Sequence, residues 1–189
     1  MLSDIFLQIK DQWVRAKHQK KHPFRYFVLT TVSTDHRPQA RTVVLRDFDS
    51  KSLLFTVYTD LRSGKIKDLN INPTAQLLFY DPKKLWQIQV SAHLEKQSTD
   101  PKRFLELPPP ARKDYTTTNA PRAPILNPED ISYLDNKHHF VALHFRAEGI
   151  ESLKLKRPHH VRTFFEAHND WKGTFLTPQF FYFFYLFTK

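Results

Sequence analysis

The chain predicts a single domain of the α+β class, mainly β, in which an antiparallel sheet is closed off by capping helices. Runs rich in Val, Leu, Phe, Tyr and Thr recur along the sequence with short turn-like segments between them, which is the pattern of hairpin-connected strands. Helical spacing is confined to residues 3–20 and a few short stretches. With 189 residues and 40% apolar content, one sizeable core is affordable and two independent ones are not.

Residues 3–20 read as a helix, with Ser3 as N-cap, Asp4 just inside, and Ile5, Phe6, Ile9, Trp13 and Val14 at helical spacing, so that it covers one end of a barrel. Lys17, Lys20, Lys21 and Arg25 follow where cations suit the helix dipole. Strands are expected near 26–33, 39–47 and 52–58, as an antiparallel meander. A short helix over 62–71 stops at Asn72-Pro73, and strands resume near 75–80 and 85–97. Asp100-Pro101 opens another short helix, to about Leu107. Six of the thirteen prolines fall between Pro108 and Pro128, so this stretch is a long loop, either functional or a linker. Strands are expected again near 139–147, 149–156 and 160–167, with Trp171 to Pro178 closing the fold. The tail, 179–189, contains Phe180-Phe181-Tyr182-Phe183-Phe184-Tyr185-Leu186-Phe187, seven aromatics in eight residues, which needs cover from the barrel or from a second subunit.

Composition removes several classes of chemistry. The absence of cysteine excludes disulfides, iron–sulfur clusters, thiolate zinc and thiol nucleophiles, and fits a reducing compartment. Only three glycines occur, Gly64, Gly149 and Gly173, so neither a dinucleotide fingerprint nor a Walker loop can be written. Met1 to Phe6 lacks the features of a signal peptide and no apolar run approaches the ~18 residues of a membrane span, so a cytoplasmic protein without a membrane partner is expected. The formal charge of +10 suits phosphate, whether on nucleic acid or on a small anionic cofactor.

Three clusters carry the chemistry. Ser63-Gly64-Lys65 begins the 62–71 helix, where free N–H groups, the dipole, a hydroxyl and an ammonium suit an anion, although Ser63 is also an ordinary N-cap. Arg41 and Arg46 flank Val43-Val44-Leu45; five residues apart in a regular strand, they face opposite ways, so either a bulge intervenes or they serve different ends of an extended ligand. Gln87 and Gln89 share a face beside Trp86, and their amides donate and accept at once, as the edge of a planar ring with carbonyls and an imide requires.

Together with Tyr58-Thr59, these clusters resemble the flavin mononucleotide (FMN) site of the pyridoxamine 5'-phosphate oxidase-like split barrels. That family's pattern of Arg-x-Val-x-Leu-Arg/Lys, Tyr/Phe-Thr, Ser-x-Lys and a later-strand Gln is met at Arg41, Val43 (with Val44), Leu45, Arg46, Tyr58, Thr59, Ser63, Lys65 and Gln87. The resemblance is good over about residues 20–97. It implies an FMN-binding split barrel of six to eight strands, a homodimer with FMN at the subunit interface, and oxidation or reduction of a small molecule. By the same resemblance Arg41, Ser63 and Lys65 hold the phosphate, while Arg46, Thr59 and Gln87 surround the ring and ribityl chain. Gly64 stands where the oxidases proper carry a second cation, which Arg62 is expected to replace; Arg62-Ser63-Gly64-Lys65 looks closer to an uncharacterised cyanobacterial-type branch. Where those oxidases have Arg-Leu-His-Asp-Arg, this chain has Pro158-His159-His160-Val161-Arg162, leaving His160 and Arg162 as catalytic candidates and implying poor use of the vitamin phosphates. The adjacent pairs His138-His139 and His159-His160 point to opposite strand faces and make no metal site by themselves. A non-catalytic flavin- or haem-binding protein and a nucleic-acid-binding β-barrel are the alternatives.

Overall fold

A computed structural model describes residues 1–178. In chain order it runs α1 (Leu2–His18), β1 (Tyr26–Val32), β2 (Pro38–Val44), β3 (Asp47–Asp49), β4 (Leu54–Asp60), α2 (Gly64–Ile71), β5 (Thr74–Asp81), β6 (Trp86–Ser98), α3 (Pro101–Leu105), α4 (Pro109–Lys113), β7 (Phe140–Lys154), β8 (Val161–Glu166) and β9 (Gly173–Leu176). All strand pairs are antiparallel, and the order across the sheet is β2-β1-β5-β6-β7-β4-β3, with β8 on β7 and β9 on β8. The expected class, mainly antiparallel β with capping helices, is what the chain forms. The aromatic segment at 180–187 lies outside the described residues.

The expected meander through 26–58 does not form. Strands β1 and β2 make one hairpin and β3 and β4 another, but β4 pairs with β7 and β2 stays at the opposite end of the sheet order. The chain changes partner between two consecutive residues: the Leu45 N–H donates to the Arg25 carbonyl on the β1 side, and the Arg46 N–H donates to the Thr56 carbonyl on β4. The single expected strand over 39–47 is therefore two segments that bridge the two ends of the sheet order, and the barrel closes there.

The strand break expected between residues 147 and 149 is also absent, since β7 runs unbroken across residue 148. On one edge β7 pairs with β6 from Ala142 to Lys154, with register shifts at Ser91/Ala92 and Leu94/Lys96; on the other it passes from β4, through Arg146, to β8, from Gly149 on.

Alternation fills the barrel. Phe27 and Leu29 of β1, Phe55 and Val57 of β4, Leu77 and Phe79 of β5 and Ile88 and Val90 of β6 face inward. Helix α1 plugs one end, as its spacing predicts: Ile9, Trp13 and Ala16 are fully buried, and Trp13 meets Phe48, Phe55 and Phe79 with centroids 4.8–5.5 Å apart. Its N-cap is Met1 rather than Ser3, and no side chain caps it. Its C-terminal carbonyls are held by a cation as expected, with Arg25 Nη1 donating to the carbonyls of Ala16 and Lys17.

Candidate functional site

Around residue 63, where an anion site is expected, the structure gathers several polar side chains. Helix α2 begins directly after the core strand β4, with Ser63 at its N-cap position, yet the Ser63 hydroxyl makes no capping bond. It lies 3.3 Å from Thr59 Oγ1, and Lys65 Nζ donates to both hydroxyls, at 2.7 Å to Thr59 and 3.2 Å to Ser63. The serine hydroxyl is thus turned from the ordinary capping role toward the lysine, while its carbonyl accepts the first-turn Ile66 N–H at 3.0 Å.

Arg41 reaches the same place from β2. It shares the inward parity of Val43 and Leu45, and its guanidinium lies beneath Leu29 and Thr31: Nη1 donates to Thr31 Oγ1 at 2.7 Å, and Nη2 is 3.5 Å from Asp68 of α2. Thr31 Oγ1 donates in turn to Asp68 at 2.7 Å, so the buried carboxylate is divided between a hydroxyl and an arginine. Gln39, Arg41, Ser63, Lys65, Asp68 and Arg122 line a cavity of about 510 Å³. Burial and the charge of Arg41 draw Lys65 down from 10.5 to about 8, and burial lowers Arg41 as well, with Arg122 adding to that effect against Asp68. Three cations thus face one cavity that has a single carboxylate on its wall, already engaged. Such a cavity is chemically suited to a phosphate monoester, which brings two negative charges and several acceptor oxygens.

The other predicted residues fall into two further groups. Arg46, just past the partner switch, faces outward with Tyr58, its guanidinium 5.5 Å from the ring centroid; both line a shallower cavity of about 420 Å³ with Lys102 and Arg103. The Arg46 Nε is buried without a hydrogen-bond partner. Tyr58 packs on Phe140 in a satellite cluster with Leu107 and Tyr115. The parity argument for Arg41 and Arg46 is thereby met twice over, since the strand bends between them and they serve different cavities.

Gln87 and Arg162 form the third group. Gln87 is level with Leu153, and Leu153 with Arg162, so the two share one row on the outer face of β6, β7 and β8. Trp86 is turned inward and donates its indole N–H to Ser152. Arg162 is held by Glu151 through Nε and Nη2, at 3.0 and 2.8 Å, and His160 Nδ1 accepts the Lys156 N–H. This row is about five residues (~17 Å) along the ladder from the level of Thr31, so one copy of the chain does not bring Gln87 to the cation cavity.

Arg62 does not serve as the replacement cation. Its guanidinium forms a two-point pair with Asp60, at 3.1 and 2.7 Å, and donates to the carbonyls of Thr117 and Thr118, leaving it committed to the Pro-rich loop. The cation that joins Arg41 and Lys65 is Arg122. Sequence reading missed it, along with Asp68 and Thr31, because none belongs to a local motif. The only signal was the proline density around Arg122.

A family model described as "Pyridoxamine 5'-phosphate oxidase, FMN-binding domain" matches residues 8–96. The chain is 35% identical over 98 residues to a pyridoxine/pyridoxamine 5'-phosphate oxidase of Burkholderia vietnamiensis, covering 51% of this chain and 44% of that one. To the enzyme of the same name in Nostoc punctiforme it is 31% identical over 106 residues, 56% of this chain and 49% of the other. The chain thus matches about half the length of these curated relatives. Among solved structures, a pyridoxamine 5'-phosphate oxidase-related, FMN-binding protein from Nostoc punctiforme superposes with a TM-score of 0.73 at 23% identity, over 87% of this chain and 95% of that one. PhzG from Burkholderia lata, solved with tetrahydrophenazine-1-carboxylic acid, gives 0.72 at 19%, over 91% and 92%. These two share the fold across nearly the whole described chain, and the family match covers the segment that carries Arg41, Ser63 and Lys65. Residues 8–96 thus match the FMN-binding domain of the pyridoxamine 5'-phosphate oxidases, and the described chain shares the fold of the FMN-binding split barrels.

Proposed function

We propose that this chain is a cytoplasmic FMN-dependent oxidoreductase acting on a small molecule, and that the Arg41–Ser63–Lys65 cavity holds the FMN phosphate. The observation that carries this reading is the convergence of three cations on a cavity whose one carboxylate is already paired. In the unliganded protein the desolvated Lys65 is held near 8, and a phosphate dianion relieves that strain on the charge. FMN, when bound, supplies the hydride chemistry at its ring. The chain's own part is to anchor the phosphate at the start of α2, to shield it through the 115–134 loop, and to offer Arg46, Tyr58 and Thr59 along the strand that leads away from it.

A homodimer with FMN at the subunit interface fits the division of the site. Gln87 and the candidate catalytic residues His160 and Arg162 belong to the β6–β7–β8 side, remote from the cation cavity in one copy, and a second copy supplies a route for them to the flavin. The family match ends at residue 96, before His160 and Arg162, so the substrate is assigned only as a small molecule. The absorbance spectrum of freshly purified protein tests the cofactor. Flavin bands that disappear on reduction with dithionite are expected; a Soret band, or a nucleic-acid shoulder with no flavin, would replace this reading by one of its alternatives.

A further inference from the structure

The loop between α4 and β7 makes two contacts with the site that its composition does not announce. At its tip, the Ala123 N–H donates to the Ala120 carbonyl at 3.0 Å, closing a four-residue turn with Pro121 and Arg122 at its corners. Arg122 has φ 74°, the left-handed conformation that such turns ordinarily give to glycine or asparagine at the residue after proline. An arginine there costs conformational energy, and strain of this kind is retained where the side chain has work to do. Pro121 and Arg122 form one wall of the cavity that holds Arg41, Ser63 and Lys65, and Arg122 has no carboxylate partner among the described residues.

At its base, the loop is clasped by Arg62. Asp60, 5% exposed at the end of β4, orients the guanidinium, which then donates to the carbonyls of Thr117 and Thr118 at 2.9 Å. The loop is tied further on by Thr118 N–H to Ser132 and Leu134 N–H to Thr116. Arg62 and Ser63 are adjacent, so the phosphate-facing turn and the clasp are set by one short segment.

We infer that Arg122 is a phosphate-binding residue, carried to the ligand by the Pro-rich loop, and that the Asp60–Arg62 pair is the positioning device that holds this loop over the cavity. The inference rests on the phosphate assignment made above and adds a contact that comes from outside the matched 8–96 segment. Arg122 replaces, from across the cavity, the second cation that Gly64 lacks. Space does not require that glycine, since a Cβ at residue 64 meets nothing within 4 Å.

The decisive variant is Arg122→Gly, because glycine suits φ 74° and removes the cation without straining the turn. Apoprotein is titrated with FMN and with riboflavin. Arg122→Gly is expected to weaken FMN by about 10- to 100-fold, the range for a charge-assisted hydrogen bond, to leave riboflavin within about threefold, and to keep or raise Tm. Unchanged FMN affinity, or an equal loss for both flavins, overturns the role of Arg122. Arg62→Lys keeps a charge beside Asp60 but loses the fork that spans two carbonyls. It is expected to speed proteolysis within 115–134, to weaken FMN, and to add little to Arg122→Gly in the double variant; fully additive losses overturn the clasp. Should wild type bind neither flavin, inorganic phosphate separates the two readings. A phosphate-dependent rise in Tm that Arg122→Gly abolishes keeps the anion role of Arg122 while the FMN assignment fails; no rise, or an equal rise in both proteins, overturns both.

Discussion

Lys65 holds its proton weakly because it is desolvated beside Arg41, and this gives the site a pH signature. Its value of about 8 in the folded apoprotein lies below the ordinary 10.5, so between these limits the unfolded chain binds more protons and apoprotein stability rises with pH. On the proposed assignment a bound phosphate dianion favours the charged Lys65, so binding is expected to take up a proton above about pH 8. FMN affinity is therefore expected to be greatest between about pH 7, where the phosphate with its second pKa of about 6 is mostly the dianion, and about pH 8, and to fall by up to tenfold per unit above that. Fluorescence titrations at successive pH values check this, and a flat profile up to pH 10 contradicts it. Lys65→Ala and Arg41→Ala are each expected to cost about 1.5–3 kcal/mol of FMN binding, the range for hydrogen bonds to charged groups, with little change for riboflavin. These two residues and Ser63 were legible in the sequence because they sit in short motifs whose local geometry is nearly fixed. Arg122 was not, since only the path of a long loop brings it there, and Arg62 was misassigned because its partners Thr117 and Thr118 lie on that same loop.

Among the elements, the bent strand 38–49 and helix α1 shape the barrel most. Strand positions and the plug role of α1 followed from alternation and helical spacing. The partner change at Leu45–Arg46 did not, because strand patterning reports which face is buried but not which neighbour is paired. The same limit explains the strand break wrongly expected between residues 147 and 149, where β7 exchanges one neighbour and keeps the other. Trp13 stands at the centre of α1's contact with the barrel, 0% exposed and ringed by Phe48, Phe55 and Phe79. Trp13→Ala is expected to destabilise the fold by about 3–5 kcal/mol, as large aromatic truncations do. Chemical denaturation with an unchanged m-value measures it, and a loss under about 1 kcal/mol would show that α1 is not an integral part of the core.

At the scale of the molecule, the distance along the sheet between the cation cavity and the Gln87–Arg162 row is the reason a dimer is proposed. The aromatic segment at 180–187, which lies outside the described residues, is expected from its sequence to need cover. The full chain is expected to be a dimer by light scattering, and a version ending at Pro178 to lose solubility or dimer stability. A monodisperse full-length monomer that still binds FMN tightly would contradict the shared site. Among the described residues no helix is long and apolar enough to cross a membrane.

Phosphate recognition at the start of α2 is the centre of the account, and calorimetric titration of the apoprotein with FMN, riboflavin and FAD at pH 7 tests it most directly. FMN is expected to bind at least tenfold tighter than riboflavin, which lacks the phosphate, and tighter than FAD, whose corresponding phosphate is joined to a second phosphate by an anhydride bond and so carries less charge. Equal affinity for riboflavin and FMN would contradict the assignment of Arg41, Ser63 and Lys65 to the phosphate.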